Sequence, residues 1–354
     1  MKKVLFLLLL SSSFIYSQDY RGFASEIFFG RQPSAKAEAM GKGLIASEDG
    51  ANSSFYNPAS IGFTKGVNFN YSYGNPYYAY VNASYNYMGL SVKLAKNHTL
   101  SINRFAFNFG NKFSLPQYNI LYNIMEDVND QLYKINYAFN PSEDLAIGLN
   151  INYFRNSYYN KITSEKLAIL DNYMLDLGAL KIFELNETDE YKNSINAGLV
   201  VKNLFRADVE YDGIQSEMLP SSIEGGIAYV SSNYSNQWVK GLNNLDFLFN
   251  VEYRYVLKSE RYTTFSTGVE IKALEIFALR FGYYIEKAGL GNNGKDNLTD
   301  FTYGLGLSVP FQKLYNYPFE LRLDYVGKKQ PSYVTDYDDW DNLNVFSTSF
   351  NWIF

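Results

Sequence analysis

One stretch of this chain leaves it few ways to fold. Leu245, Phe247, Phe249, Val251, Tyr253 and Tyr255 fall on one face of an extended backbone, and Asp246, Asn250, Glu252 and Arg254 on the other, because side chains alternate along a strand with period two. Phe319, Leu321, Leu323 and Tyr325 oppose Glu320, Arg322 and Asp324 in the same way, and Val67, Phe69, Tyr71 and Tyr73 oppose Asn68, Asn70 and Ser72. Turn and strand signals divide the chain from Gly66 onward into about fourteen segments: 66–74, 77–94, 98–110, 131–140, 145–158, 173–185, 193–202, 220–232, 244–257, 261–272, 276–285, 299–309, 318–326 and 342–354. An even number leaves both ends on one side of a closed sheet.

Alternation alone does not say which face is wet. A soluble sandwich buries the apolar face inside, whereas a membrane barrel turns it to lipid. Three features favour the barrel. The polar face carries Glu252, Arg254, Arg280, Arg322 and Asp324, which can pair across strands inside a lumen. The long connections, 111–130, 159–172, 203–219, 286–298 and 327–341, all follow odd strands, and most others are brief, with 233–243 the exception. The last strand alternates Phe346, Thr348, Phe350, Trp352 and the terminal Phe354 with polar residues, and an aromatic end looks like the signal read by the outer-membrane assembly machinery. An all-β fold is expected, a transmembrane antiparallel barrel of about fourteen strands over residues 66–354. Aromatics make up 18% of the chain, as suits strands with many residues at a membrane interface.

Lys2 and Lys3, an apolar run to Leu10 and small residues to Ser17 form a secretory signal over residues 1–17. Between it and the strands, within residues 18–65, Ala35 to Phe63 is made mostly of small residues, among them Ala37, Ala39, Gly41, Gly43, Ala46 and Gly50, and is turned by Asn57-Pro58. Such a backbone can pack in a crowded space, and it is read as a plug inside the barrel.

The run Ala39-Met40-Gly41, Gly43, Ala46, Asp49, Ala51 and Phe55-Tyr56-Asn57-Pro58-Ala59 resembles the N-terminal hatch of the FadL-like outer-membrane proteins, and more narrowly the PorV/PorQ branch of Bacteroidota. Val200 to Leu204, Leu219-Pro220-Ser221 and Gly225 to Tyr229 extend the likeness over nearly the whole mature chain. The resemblance implies an integral protein of the Gram-negative outer membrane with one of two roles. The first is passage of a small hydrophobic ligand, caught by outer loops at Tyr118, Leu121 and Met125, gated by the hatch and released sideways into lipid. The second is an accessory of type IX protein secretion, in which the barrel is a platform for cargo or secretion-system proteins. Outer-membrane lipid and the assembly machinery are implied partners in both. The closing Asn351-Trp352-Ile353-Phe354 departs from a simple basic-aromatic ending.

Two features bear on the transport role. Tyr118, Leu121, Tyr122, Met125 and Val128 follow a helical spacing, as does 163–171 around Leu167 and Leu170, so two partly helical loops are expected, serving either as a lid or as a ligand groove. In the third strand Leu100 and Ile102 share one parity and Phe105, Phe107 and Phe109 the other. A bulge near Asn103, Arg104 and Phe105 would restore register. It would be either an ordinary rim bulge or, as the family resemblance implies, a lateral opening.

Other chemistries find little support. His98 is the only histidine and sits in a turn, which leaves none for acid/base work, and cysteine is absent. No enzyme and no cofactor is expected. The acidic loop Asp336 to Asp341 lacks the spacing of a calcium loop, and a net charge of -5 without a basic cluster argues against nucleic acid.

Overall fold

The computed structural model describes residues 32–75, 80–81, 84–108, 112–113, 125–160, 166–205, 208–211, 214–219, 221–235, 237–257, 262–287, 297–329 and 342–354. The expected signal sequence, Tyr118, Leu121 and the acidic loop lie outside them. The described residues form a closed barrel of fourteen antiparallel strands. They are β1 Val67–Asn75, β2 Ser84–Ala95, β3 His98–Asn108, β4 Met125–Ser142, β5 Leu145–Asn160, β6 Lys166–Glu187 and β7 Tyr191–Lys202, followed by β8 Ser222–Asn233, β9 Leu245–Val256, β10 Thr264–Ala273, β11 Phe277–Lys287, β12 Asn297–Pro310, β13 Phe319–Lys329 and β14 Asn342–Trp352. Each pairs with its neighbour in sequence, and β14 closes on β1 through Val67↔Trp352, Tyr71↔Thr348 and Asn75↔Asn344. Both ends of the barrel sequence therefore lie on one rim, called here the terminal rim.

Polarity is inverted relative to a water-soluble core. Ile102, Ile135, Ile151, Leu199, Ile227 and Leu305 point outward and are exposed, while Asn70, Asn136, Asn150, Glu252 and Arg280 point inward and are buried. An apolar girdle of this kind suits a bilayer rather than water. The lumen face is not wet as expected, because residues 32–64 fill it.

Two expectations are corrected. Instead of helical turns, Met125 to Val128 open β4 and Lys166 to Asp171 open β6, both paired with β5 through Met125↔Asn160, Val128↔Tyr158 and Tyr158↔Ala168. A single helical turn is marginal in water, whereas a strand extended past the girdle satisfies its backbone on its neighbour. The second correction is at β3. Its pairing runs without a break from Lys93↔Thr99 to Ser84↔Asn108 on one side and from His98↔Phe139 to Asn108↔Asn129 on the other. There is no bulge at Asn103, Arg104 and Phe105, and hence no lateral opening there. Parity is conserved, and what changes along β3 is the surroundings. Thr99, Ser101 and Asn103 face the polar hatch, Phe105 and Phe107 face an aromatic cluster further up the same inner wall, and Arg104 points outward to Asn86 Oδ1 at 3.2 Å.

Candidate functional site: the hatch and the aromatic cluster behind it

The hatch is held by small residues and by what the wall leaves out. It contains α1 (Ala35–Ala39), capped by Ser34, then α2 (Ser53–Tyr56) and a 3-10 turn, Ser60–Phe63. Ala39, Met40, Gly41, Gly43, Ala46, Asp49, Tyr56, Asn57, Pro58 and Ala59 are all buried. Opposite them the inward positions of the strands are glycines. A Cβ on Gly304 would lie 2.6 Å from Ala39 Cβ, one on Gly268 2.6 Å from Met40 O, one on Gly282 2.5 Å from Met40 C, and one on Gly178 2.7 Å from Pro58 Cδ. Gly198 and Gly226 face Ile45 in the same way. Gly148↔Gly178, Gly198↔Gly226 and Gly268↔Gly282 are cross-strand pairs, so the wall carries three glycine wells into which the hatch backbone settles. Gly41 answers from the hatch side, with φ +73° and a Cβ position 2.7 Å from both Thr267 O and Tyr283 O.

A segment with so little regular structure must find partners for its backbone elsewhere. The wall supplies them. Ala51 N–H donates to Asn70 Oδ1 at 2.7 Å and Ile45 N–H to Glu252 Oε1 at 2.7 Å. Asn150 donates to Ser54 O at 2.9 Å, Asn136 to Pro58 O at 3.2 Å and Asn250 to Gly43 O at 3.1 Å. Thr302 Oγ1 serves both Ala39 O, at 2.8 Å, and Gly41 N–H, at 3.1 Å. Asn57, the turn residue of the motif, donates to Ile45 O at 2.9 Å and to Ala179 O at 3.0 Å, tying two parts of the hatch to β6. Asn103 belongs to this set, with its amide between the Tyr87 hydroxyl at 2.6 Å and the Ser54 hydroxyl at 2.7 Å.

Buried ion pairs run from hatch to wall and back. Asp49 pairs with Arg322, whose Nε lies 2.7 Å from Asp324; Asp324 holds Arg280 at 2.8 Å; Arg280 pairs with Glu270; and Glu270 reaches Lys36 at 3.1 Å. Arg280 on β11 meets Asp324 on β13 by passing under β12 at Gly306, where a Cβ would lie 2.8 Å from both side chains. Lys42, in the left-handed region at φ 71°, a conformation costing about 1–3 kcal/mol, is anchored by Glu286 at 3.2 Å and by the Tyr284 ring at 4.5 Å.

On the side away from the terminal rim the hatch ends in Phe55 and Tyr56, which join Tyr85, Tyr87, Phe105, Phe107, Leu132, Phe154 and Met174 in one buried cluster. Phe105 stands edge-on to Phe55 and to Tyr85, each at 5.5 Å. Lys134 and Lys202 flank the Phe55 ring at 4.8 and 5.4 Å and are neutralised by Asp176 and Glu224. An apolar aromatic cluster flanked by a few charged groups and seated on the hatch has the side-chain chemistry that suits a small hydrophobic ligand.

Of the residues singled out in the sequence, the hatch set comes together. Met125 begins β4, apart from it. Phe350 and Trp352 lie on the outward face of β14 with rings 6.3 Å apart, and Phe354 is exposed on the same rim. His98 opens β3 with Nδ1 2.6 Å from the Tyr137 hydroxyl. The glycine wells, the asparagine donors and the aromatic cluster are not evident from the sequence pattern. Glycine on the inward parity of successive strands, as at 148, 178, 198 and 226, was the available signal. Filling one well should evict the hatch while leaving the barrel closed. In Gly282→Val the overpacking, worth about 1–3 kcal/mol, falls on hatch backbone, so proteolysis should cleave the hatch of the folded barrel faster than in wild type.

No family model matches the chain, and no curated protein matches it either. Solved structures share its fold. A FadL homologue of Pseudomonas aeruginosa is 11% identical, covers 92% of this chain and 99% of its own, and superposes with a TM-score of 0.53. The toluene transporter TbuX of Ralstonia pickettii is 10% identical over 91% of this chain and 98% of its own, with a TM-score of 0.51. The toluene transporter TodX of P. putida is 11% identical over 91% and 98%, with a TM-score of 0.54.

Proposed function

We propose that this chain is an integral outer-membrane barrel, exported by a cleaved signal, that admits a small hydrophobic molecule and passes it inward when the hatch shifts. The observation that carries this reading is the aromatic cluster built directly on the hatch, to which Phe55 and Tyr56 belong. Ligand contact with those two rings acts on the same segment that fills the lumen, so binding and gating share residues. The fold held in common with two toluene transporters supports a monoaromatic or similar apolar cargo. In this reading the terminal rim faces the periplasm. Tyr118, Leu121 and Met125 are the proposed first contacts.

The test is equilibrium binding of labelled toluene to the purified full-length barrel. Phe105→Ala deletes ring contacts worth about 0.5–1.5 kcal/mol each and should weaken binding by about tenfold, the factor that 1.4 kcal/mol corresponds to. Equal binding by wild type and variant would overturn the reading.

A second reading, the PorV/PorQ-like secretion accessory, draws on one feature. The residues that carry the downstream resemblance meet at the far rim, where Asn203 Nδ2 donates to Leu219 O at 2.8 Å and Ser221 Oγ donates to Asn203 O at 3.0 Å. A rigid knot at the external mouth is suited to a protein platform. Purification from the native envelope with a stable secreted protein bound, and no toluene binding, would favour it.

A further inference from the structure

The outer wall bears a trench that neither the hatch nor the aromatic cluster explains. It is a cavity of ≈ 560 Å³ on the outward face, crossing β11, β12, β13, β14 and β1. Thr348 sets its depth. In register across the seam stand Leu323, Thr348 and Tyr71, and the middle outward side chain is the small one. Leu305 continues the floor on β12 and Tyr325 on β13, with Phe277 on β11 and Tyr71 and Tyr73 on β1 as the residues of its bordering strands. The trench is therefore apolar along its length. Its back is stiff, because the inner side of this wall is where Arg280 and Asp324 join β11 to β13 beneath Gly306. A preformed apolar groove of this volume is of ligand size.

We propose that the trench binds one acyl chain of a membrane lipid. The occupant follows from position. The trench is continuous with the exposed apolar girdle formed by Leu279, Leu305, Leu307 and Leu323, and in a bilayer the molecule that covers this face is lipid. The site is distinct from the lumen, and the wall between them is continuously paired through Leu305↔Tyr325 and Tyr325↔Phe346.

The inference rests on the barrel lying in a membrane. Fractionation of the envelope tests that premise separately. For the site itself, the full-length barrel is reconstituted in vesicles of phosphatidylethanolamine and phosphatidylglycerol, released into mild detergent and weighed by native mass spectrometry. Wild type is expected to retain one phospholipid. Thr348→Trp fills the trench and should lose it, whereas Ile151→Trp, an outward position on the other side of the barrel, should retain it. A difference in migration between heated and unheated samples in SDS gels verifies that each variant is folded, and Thr348→Ala, which deepens the trench without filling it, should keep the lipid. A wild type that carries no lipid, a folded Thr348→Trp that still carries it, or a loss in Ile151→Trp as well would each overturn the proposal.

Discussion

Oxidised Ile45→Cys/Gly226→Cys barrel is expected to take up labelled toluene no faster than cells that lack the protein, and to recover on reduction. A Cβ at Gly226 lies 3.4 Å from Ile45 Cβ, close to the separation a disulfide requires, so the bond would stitch the hatch to β8 once the Glu252 side chain, 2.9 Å from that Cβ, shifts aside. The chain contains no cysteine of its own, so the engineered pair has no competitor. Ile45 is a demanding place to lock. Its N–H is bound by Glu252 and its carbonyl by Asn57, and any path that opens beside the hatch must move one of them. Uptake that is unchanged in the oxidised form would mean that cargo does not pass the hatch. Each single-cysteine variant, treated with the same oxidant, separates the cross-link from the substitutions.

The second large effect is expected at Arg280. Replacing it by Met leaves Asp324 and Glu270 buried with one cation fewer each, and removing one partner of a buried pair costs about 3–5 kcal/mol. Its side chain is 2% exposed, so solvent cannot take over the role. Urea unfolding of the barrel in vesicles should register the loss. The double variant Arg280→Met/Asp324→Leu, which removes both ends of the pair, should recover part of it, because the cost lies mainly in the charge left alone. A single variant as stable as wild type would show that the ion-pair chain between Asp49 and Lys36 does not hold the wall.

Much of the fold was legible because a membrane barrel writes its polarity on every strand. Leu245 to Tyr255 could be assigned to one face from spacing alone, and the count of fourteen followed. The hatch was legible from small residues and the Asn57-Pro58 turn. Legibility failed wherever the surroundings change partway along a strand. Beyond the girdle, outward residues such as Arg104 and Asp171 are polar and inward ones such as Phe105 and Phe107 are aromatic, so the alternation inverts without any break in the backbone. A switch of environment was therefore read as a bulge in β3, and the ends of β4 and β6 were read as helical loops. The glycine wells were hidden for a different reason. A glycine in a strand announces a close approach but not what approaches, and the partner of Gly282 or Gly148 lies more than a hundred residues away in sequence or in a segment with no periodicity of its own.

The distribution of the hatch contacts along the chain bears on how the molecule is made. Ala35 donates its N–H to Ser347 Oγ across 312 residues, and Thr302 serves Ala39 from 263 residues away. The hatch is synthesised first, yet some of the groups that satisfy its backbone, Thr302 and Ser347, arrive only with β12 and β14. Contacts this distant in sequence are slow to form, since the chain must surrender loop entropy before they repay it. Ala35 is therefore left without its wall partner until β14 reaches β1, and sealing the seam completes the wall and that contact in the same event.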